Sequence, residues 1–205
     1  MWLFLLAYTC SGAAGLIYEV SWTRQLTLYI GHSTEAASAV VAAFMGGLAL
    51  GAVAGGRLAS RLSPRQCFLA YALLEALIVI VALALPFVLR LLTPVLRWSY
   101  QDGAPGLLFP AVRLLSCMGL MLVPSLALGA TFPVAVRCTG SSSTTLSAGA
   151  LYAANTAGAA IGALVAGFVL IPAVGVSGSI LIGVASSAAA GVIALVLWFV
   201  RTAAG

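Results

Sequence analysis

The chain has no lysine, one asparagine, one histidine and four acidic residues (Glu19, Glu35, Glu75 and Asp102) in 205 positions. Only 6% of its residues are charged, against 63% hydrophobic, and mean hydropathy is +1.18. That balance excludes an ordinary soluble domain, whose surface needs about a quarter charged residues. The nine basic residues are all arginine and stand singly, mostly beside apolar runs, so no basic stripe marks a nucleic-acid partner. A lone His32 excludes bis-histidine haem ligation and makes a tetrahedral zinc site hard to assemble; it is expected in a loop. Cys10, Cys67, Cys117 and Cys138 are far apart, form no CxxC pair, and read as buried or boundary thiols. Neither a cofactor nor a metal is expected.

What the chain does have is length without charge. From Cys138 to Val200 it runs 63 residues with no Asp, Glu, Lys or Arg. A bilayer core of about 30 Å takes roughly 20 helical residues, so this run predicts two membrane spans joined at the turn-like Pro172–Gly178 segment. The whole chain reads as a single integral membrane domain, an all-α polytopic bundle of about six spans near 2–23, 35–56, 67–90, 107–134, 146–171 and 178–200. An even number puts both termini on one side with Arg57, Arg61, Arg65, Arg137 and Arg201, against Arg24, Arg90 and Arg97 opposite. The positive-inside rule then makes the termini cytoplasmic, and the membrane is expected to be a bacterial inner membrane. The first apolar segment lacks a positive n-region, and Tyr8 and Thr9 fit a lipoprotein cleavage site poorly, so it is expected to be a retained helix.

Small residues recur at helix-packing intervals: Gly47, Gly51 and Gly55 in the second span, Gly158 and Gly162 in the fifth, Gly183, Ser187 and Gly191 in the sixth. Such stripes let backbones approach closely, and bundle packing is their simplest use. Gly47, Gly51 and Gly56 repeat the spacing of Gly158, Gly162 and Gly167, which predicts that spans 1–3 and 4–6 are repeats.

Several segments in order resemble the membrane half of fused major-facilitator/spermidine-synthase proteins: Ser11 to Arg24 (SGAAGLIYEVSWTR), Ala43 to Gly51 running into Gly55-Gly-Arg57, Gly129-Ala-Thr-Phe-Pro133, and Leu151-Tyr-Ala-Ala-Asn-Thr156. The first and last are the most specific, because they set polar residues inside apolar helices. The resemblance implies half of a major-facilitator fold followed, in the family, by an aminopropyltransferase-like domain. These 205 residues contain no glycine-rich nucleotide loop after a strand and no acidic catalytic set, so no enzyme activity is expected of them. Gly56 to Arg65 is also similar to the major-facilitator signature between helices two and three, with Ser60 where that signature has Asp, which puts its gating charge relay in doubt.

Ionisable groups within a bilayer cost several kcal/mol unless paired or hydrated, so Glu19, Glu75 and Arg113 are site candidates by default. At about 1.5 Å per residue, Glu19 and Arg113 fall roughly 8–10 Å inside the outer boundary and are expected to pair. Glu75, about 15 Å in from the cytoplasmic side, is level with Asn155 and is expected to share a hydrogen bond with it. Gly12, Gly15, Glu19 and Trp22 share one helical stripe, and Tyr152, Asn155, Ala159 and Gly162 another. Pro124, Pro133 and Pro172 are expected to kink or end helices, with Pro124-Ser125 a polar break, and Trp22, Trp98, Tyr100 and Trp198 to anchor at interfaces.

Three functions fit. The first is a non-catalytic membrane module, an accessory or anchoring subunit partnered by the bilayer and by other membrane subunits or a second copy. The second is a small transporter of polyamine-like cations or other small organic solutes, binding a cation or proton at Glu19 or Glu75. The third is a membrane partner of a separately encoded aminopropyltransferase.

Overall fold

The structure, a computed structural model, describes residues 2–30, 34–100, 108–140 and 144–203, so His32 lies outside the described residues. Six α-helices follow one another: α1 Trp2–Ile30, α2 Thr34–Ser60, α3 Pro64–Ser99, α4 Leu108–Cys138, α5 Thr144–Val165 and α6 Ile171–Ala203. One π-helical turn, Ala166–Leu170, joins the last two. Among the described residues there is no strand. Five stretches are long and apolar enough to cross a membrane: Trp2–Thr27, Ala37–Ser60, Pro64–Ser99, Leu108–Cys138 and Ala148–Thr202.

The breaks are local chemistry. Ser63 caps α3: its hydroxyl accepts from the Gln66 N–H at 3.3 Å, and the Gln66 side chain accepts from the Ser63 N–H at 2.9 Å, with Pro64 opening the first turn. Gly140, at φ 81°, follows the end of α4, where a Cβ would be strained. The fifth apolar stretch is 55 residues long, about 80 Å if straight, and cannot cross a bilayer once without overshooting it. Its helical path breaks at Gly175, at φ 72° and ψ 178°, within the segment expected to turn. Pro172 does not itself end the helix. The π-turn just before it bonds Ile171 N–H to Ala166 O, one residue further back than an α-helix does.

The other prolines do not end their helices either. Pro86 and Pro94 sit inside α3 and Pro124 and Pro133 inside α4, with both helices continuous. Ser125 opens no polar break, because its hydroxyl donates to Met121 O at 2.6 Å within its own helix. The helices also overrun the expected spans. α1 continues to Ile30 and α3 to Ser99, so Arg24, Arg90 and Arg97 lie on helices. Leu91, Leu92 and Leu96 favour helix past Arg90, and Pro94 sits inside α3 without ending it.

The packing carries a symmetry. α2 packs on α4 as α5 packs on α1; α3 packs on α4 as α6 packs on α1; α3 and α6 pack on each other. Exchanging α1–α3 for α4–α6 leaves this pattern unchanged. The contacts agree residue by residue. A Cβ at Gly47 would strike Ser125, and one at Gly51 would strike Leu126 O; one at Gly158 would strike Thr9 O, and one at Gly162 Ala13 O. Phe4 meets Phe68 edge-on at 5.1 Å, Arg201 lies over the same ring at 4.6 Å, and Arg201 donates to Cys138 O at 3.4 Å. The start of α1, the start of α3 and the ends of α4 and α6 therefore meet at one end of the bundle. α4 runs opposite to α1, which is the geometry of an inverted repeat.

The glycine contacts give a direct test. Gly51→Ala drives a methyl into the α4 backbone and is expected to destabilise the protein by about 1–3 kcal/mol, as overpacking does. Gly56→Ala, where a Cβ meets nothing within 4 Å, is expected to be neutral or mildly stabilising. Thermal unfolding of both variants in detergent measures the difference, and equal behaviour would refute close packing of α2 on α4.

Candidate functional site

Among the described residues the bundle interior holds one acid, and its surroundings follow from which residues neighbouring helices turn inward. Tyr71, Glu75, Ile78 and Ala82 recur every three or four residues on α3 and are all buried, Glu75 at 1% exposure. α6 faces that stripe with Ser187 and Gly191, where a Cβ would lie 3.1 Å from the Cβ of Glu75. α1 contributes Tyr8, Ser11 and Tyr18. The hydroxyls of Ser11, Tyr71 and Ser187 stand close enough to act on the carboxyl group, yet neither of its oxygens completes a well-formed hydrogen bond within the protein.

That shortfall is concentrated. Among the described residues, the buried side-chain polar atoms without a hydrogen-bond partner belong to Tyr18, Ser21, Trp22 and Gln25 on α1, Tyr71 and Glu75 on α3, and Ser187 on α6. None lies on α2, α4 or α5. A polar seam thus runs where α1, α3 and α6 meet, while the rest of the core is apolar or internally bonded. Native interiors leave few such atoms unpaired, which makes this seam the candidate site.

Beside the seam a cleft of about 270 Å³ opens between α1, α2, α4 and α5. Its walls are mostly apolar, among them Leu16, Phe44, Leu48 and Phe132, and its polar points are Tyr8, Ser11, Thr131, Tyr152 and Asn155. Tyr8 and Ser11 belong to both places, lining the cleft and acting on Glu75 or its neighbours. The cleft exists because glycine brings helices together around it: Gly12 seats the Asn155 backbone and side chain, and Gly129 seats the Leu48 backbone.

Several expectations are corrected. Glu75 and Asn155 do not bond: Asn155 lies on α5 against Gly12, in the cleft, whereas Glu75 faces α1 and α6. Equal depth brought them to one level, but α1 stands between their helices. Glu19 and Arg113 form no ion pair with each other. Glu19 borders an outer groove with Leu16, Thr23, Arg24 and Val41, while the Arg113 guanidinium lies 5.7 Å from the Phe109 ring centre on its own helix. Trp22 anchors at no interface: α1 runs two turns past it, and it is fully buried, stacked on Tyr18 at 5.0 Å. Trp98 and Tyr100 are exposed, as interface anchors are. Tyr152 is 63% exposed at the rim of the cleft, its ring edge-on to Phe132.

Sequence reasoning missed Ser11, Tyr18, Tyr71 and Ser187 as a set around Glu75. Their signal was present as hydroxyls at helical spacing on three apolar segments, Tyr71 to Glu75 and Ser11 to Tyr18 among them. It also missed that Cys67 and Cys138, distant in sequence, bring their thiols together at the end of the bundle where α3 starts and α4 stops.

Two outcomes follow from this geometry. Glu75→Met removes a buried carboxyl without a well-made partner, and stability is expected to hold or to rise by up to about 1–3 kcal/mol, the cost of an unsatisfied buried polar group. A melting temperature lowered by many degrees would show that the hydroxyls bind the carboxyl tightly. Glu19→Ala and Arg113→Ala are expected to add within about 0.5 kcal/mol in the double variant, because they share no contact. A double variant losing much less than the sum would restore the pair. Compared with protein-family models, curated proteins and solved structures, the chain matches none, so the site stands on its own residues.

Proposed function

We propose that the chain is a non-catalytic integral membrane module that serves as a subunit of a larger membrane assembly, with the cleft face as its contact surface. In this reading it crosses an inner membrane six times, with both termini in the cytoplasm. The break at Gly175 divides the 55-residue apolar stretch into two crossings, and the shared end of α1 and α6 supports the even number. The inverted pairing of helices supports a likeness to half of a major-facilitator fold.

The observation that carries the assembly reading is the surface around the cleft. α2 and α5 each use one small-residue stripe inside the bundle and keep a second one outside it: Ala42, Gly46 and Ala49 on α2, and Gly149, Ala153 and Ala157 on α5, all exposed. A Cβ at Gly46 or Gly149 would meet nothing within 4 Å. Small-residue ridges are what membrane helices use to pack against other helices, and lipid tails gain little from them. Between these ridges sit Tyr152 and Asn155, polar side chains that a hydrocarbon environment would leave without partners.

The test is purification of the tagged chain from its native membrane in mild detergent, with mass measurement and identification of co-purifying subunits. A stoichiometric partner, or a second copy, is expected. Gly46→Leu, whose side chain points into open space, is expected to release that partner while leaving the melting temperature within a few degrees. A bare monomer in the parent protein would overturn the reading.

The cleft favours a second reading, in which it holds a small organic solute for transport. Its apolar walls with a few convergent hydroxyl and amide groups are the usual makeup of a small-molecule site. Vesicles containing the purified protein are then expected to take up a labelled polyamine, and Asn155→Leu to abolish that uptake. No uptake above empty vesicles would exclude polyamines as the solute.

A further inference from the structure

We propose that Glu75 is a proton-binding site, loaded from the cleft through the hydroxyl of Ser11. The proposal goes beyond the reading of the cleft face and holds whether that face is covered by a subunit or by a solute.

The argument begins with placement. Glu75 is 1% exposed on a continuous helix in the middle of the bundle, and no charged side chain among the described residues acts on it. A carboxylate in such a place lacks the cation that would hold its charge, and the direct remedy is a proton. The titratable groups facing it are Tyr71 from its own helix and Tyr8 and Tyr18 from α1; α6 brings Ser187 and Gly191, neither of which carries charge. Around the carboxyl group there are thus only hydroxyls, and a hydroxyl both donates and accepts.

A buried acid alone would be a sealed structural group. Ser11 makes the difference, because it lines the cleft and also acts on Glu75. In the exchange, the Ser11 hydroxyl gives its proton to a carboxylate oxygen of Glu75 and takes one from a water molecule or hydronium ion in the cleft. Ser11 is regenerated and the carboxyl group is left neutral. Release reverses both transfers. The seam beyond accommodates either state, since Tyr71, Ser187 and Tyr18 retain unpaired polar atoms that can turn toward the carboxylate or away from the carboxyl.

The same surroundings argue against a metal cation. Intramembrane sodium sites draw on carbonyl oxygens freed where a helix unwinds. α3 is helical through Glu75, and the one non-helical residue within α6, Gly175, lies more than three turns before Ser187.

The experiment is infrared difference spectroscopy on the purified full-length protein in lipid vesicles, between acid and alkaline buffer and between H2O and D2O. A carboxylic C=O band is expected that fades as pH rises, deuterates within minutes, and is missing in Glu75→Gln. Ser11→Ala is expected to keep the band and to slow its deuteration several-fold, with the melting temperature little changed. If Glu75→Gln does not fold, Glu75→Asp identifies the band by shifting it. A band that neither titrates nor deuterates over hours would make Glu75 a sealed structural acid. A band removed by sodium chloride at constant pH would make it a metal-cation site. Unaltered exchange in Ser11→Ala would rule out the route from the cleft. A partner or a solute is detected by separate measurements, so failure here leaves the assembly reading standing, and the reverse.

Discussion

Close approach of helix backbones at glycine sets the spacing of the rest of the molecule. α2 sits on α4 through Gly47, Gly51 and Gly55, and α5 sits on α1 through Gly158 and Gly162, with the Ser125 side chain at Gly47 and main-chain atoms of the facing helix at the others where a larger residue would put its Cβ. Within lipid no hydrophobic gain drives such pairs together, so dispersion between well-fitted surfaces has to hold them. These two tight pairs leave α1 the most buried of the apolar stretches. It turns several of its polar residues inward, and Tyr8, Ser11, Tyr18, Ser21 and Trp22 are all buried.

The two halves of the interior then differ in chemistry. Where α2 meets α4, hydroxyls turn back on their own helix: Ser125 bonds Met121 O and Thr131 bonds Leu128 O, at 2.6 and 2.7 Å. That side is satisfied locally and asks nothing of its neighbours. Where α1 meets α6, Ser186 reaches across to Cys10 O at 2.9 Å, and the groups beside it stay unpaired. Among the described residues the unpaired buried polar groups are confined to one seam, next to the cleft.

Much of this was legible in residues. The uncharged run after Cys138 announced membrane crossings because charge is costly in hydrocarbon, and the turn near Gly175 followed from span length. The stripes at Gly47 and Gly158 announced close helix packing and a repeat, since spacing along a helix fixes which residues share a face, but not which helices would pair. Depth along a helix could be estimated too, which is how Glu75 and Asn155 came out level. Direction around the helix could not be matched between helices without knowing their neighbours. For that reason Glu75 was paired with Asn155 across α1, and Glu19 with Arg113 across the bundle. Trp22 misled in a related way: its position assumed that α1 stops at Arg24, whereas Gln25 to Ile30 continue the helix and carry Trp22 two turns inside.

The contact between the two halves of the repeat holds the acid. α3 and α6 correspond to each other in the packing pattern, so they meet where the repeat meets itself. There one helix supplies Glu75 and the other Gly191, where a Cβ would lie 3.1 Å from that of Glu75, and because the helices run antiparallel Tyr71 and Ser187 lie on opposite sides of that contact. Two large residues at this contact would force the helices apart, and two small ones would pack them shut. With one of each, the glycine makes room for the carboxyl group, and this large-against-small contact between α3 and α6 allows a polar group to occupy the centre of a bundle whose spacing is otherwise set by glycine.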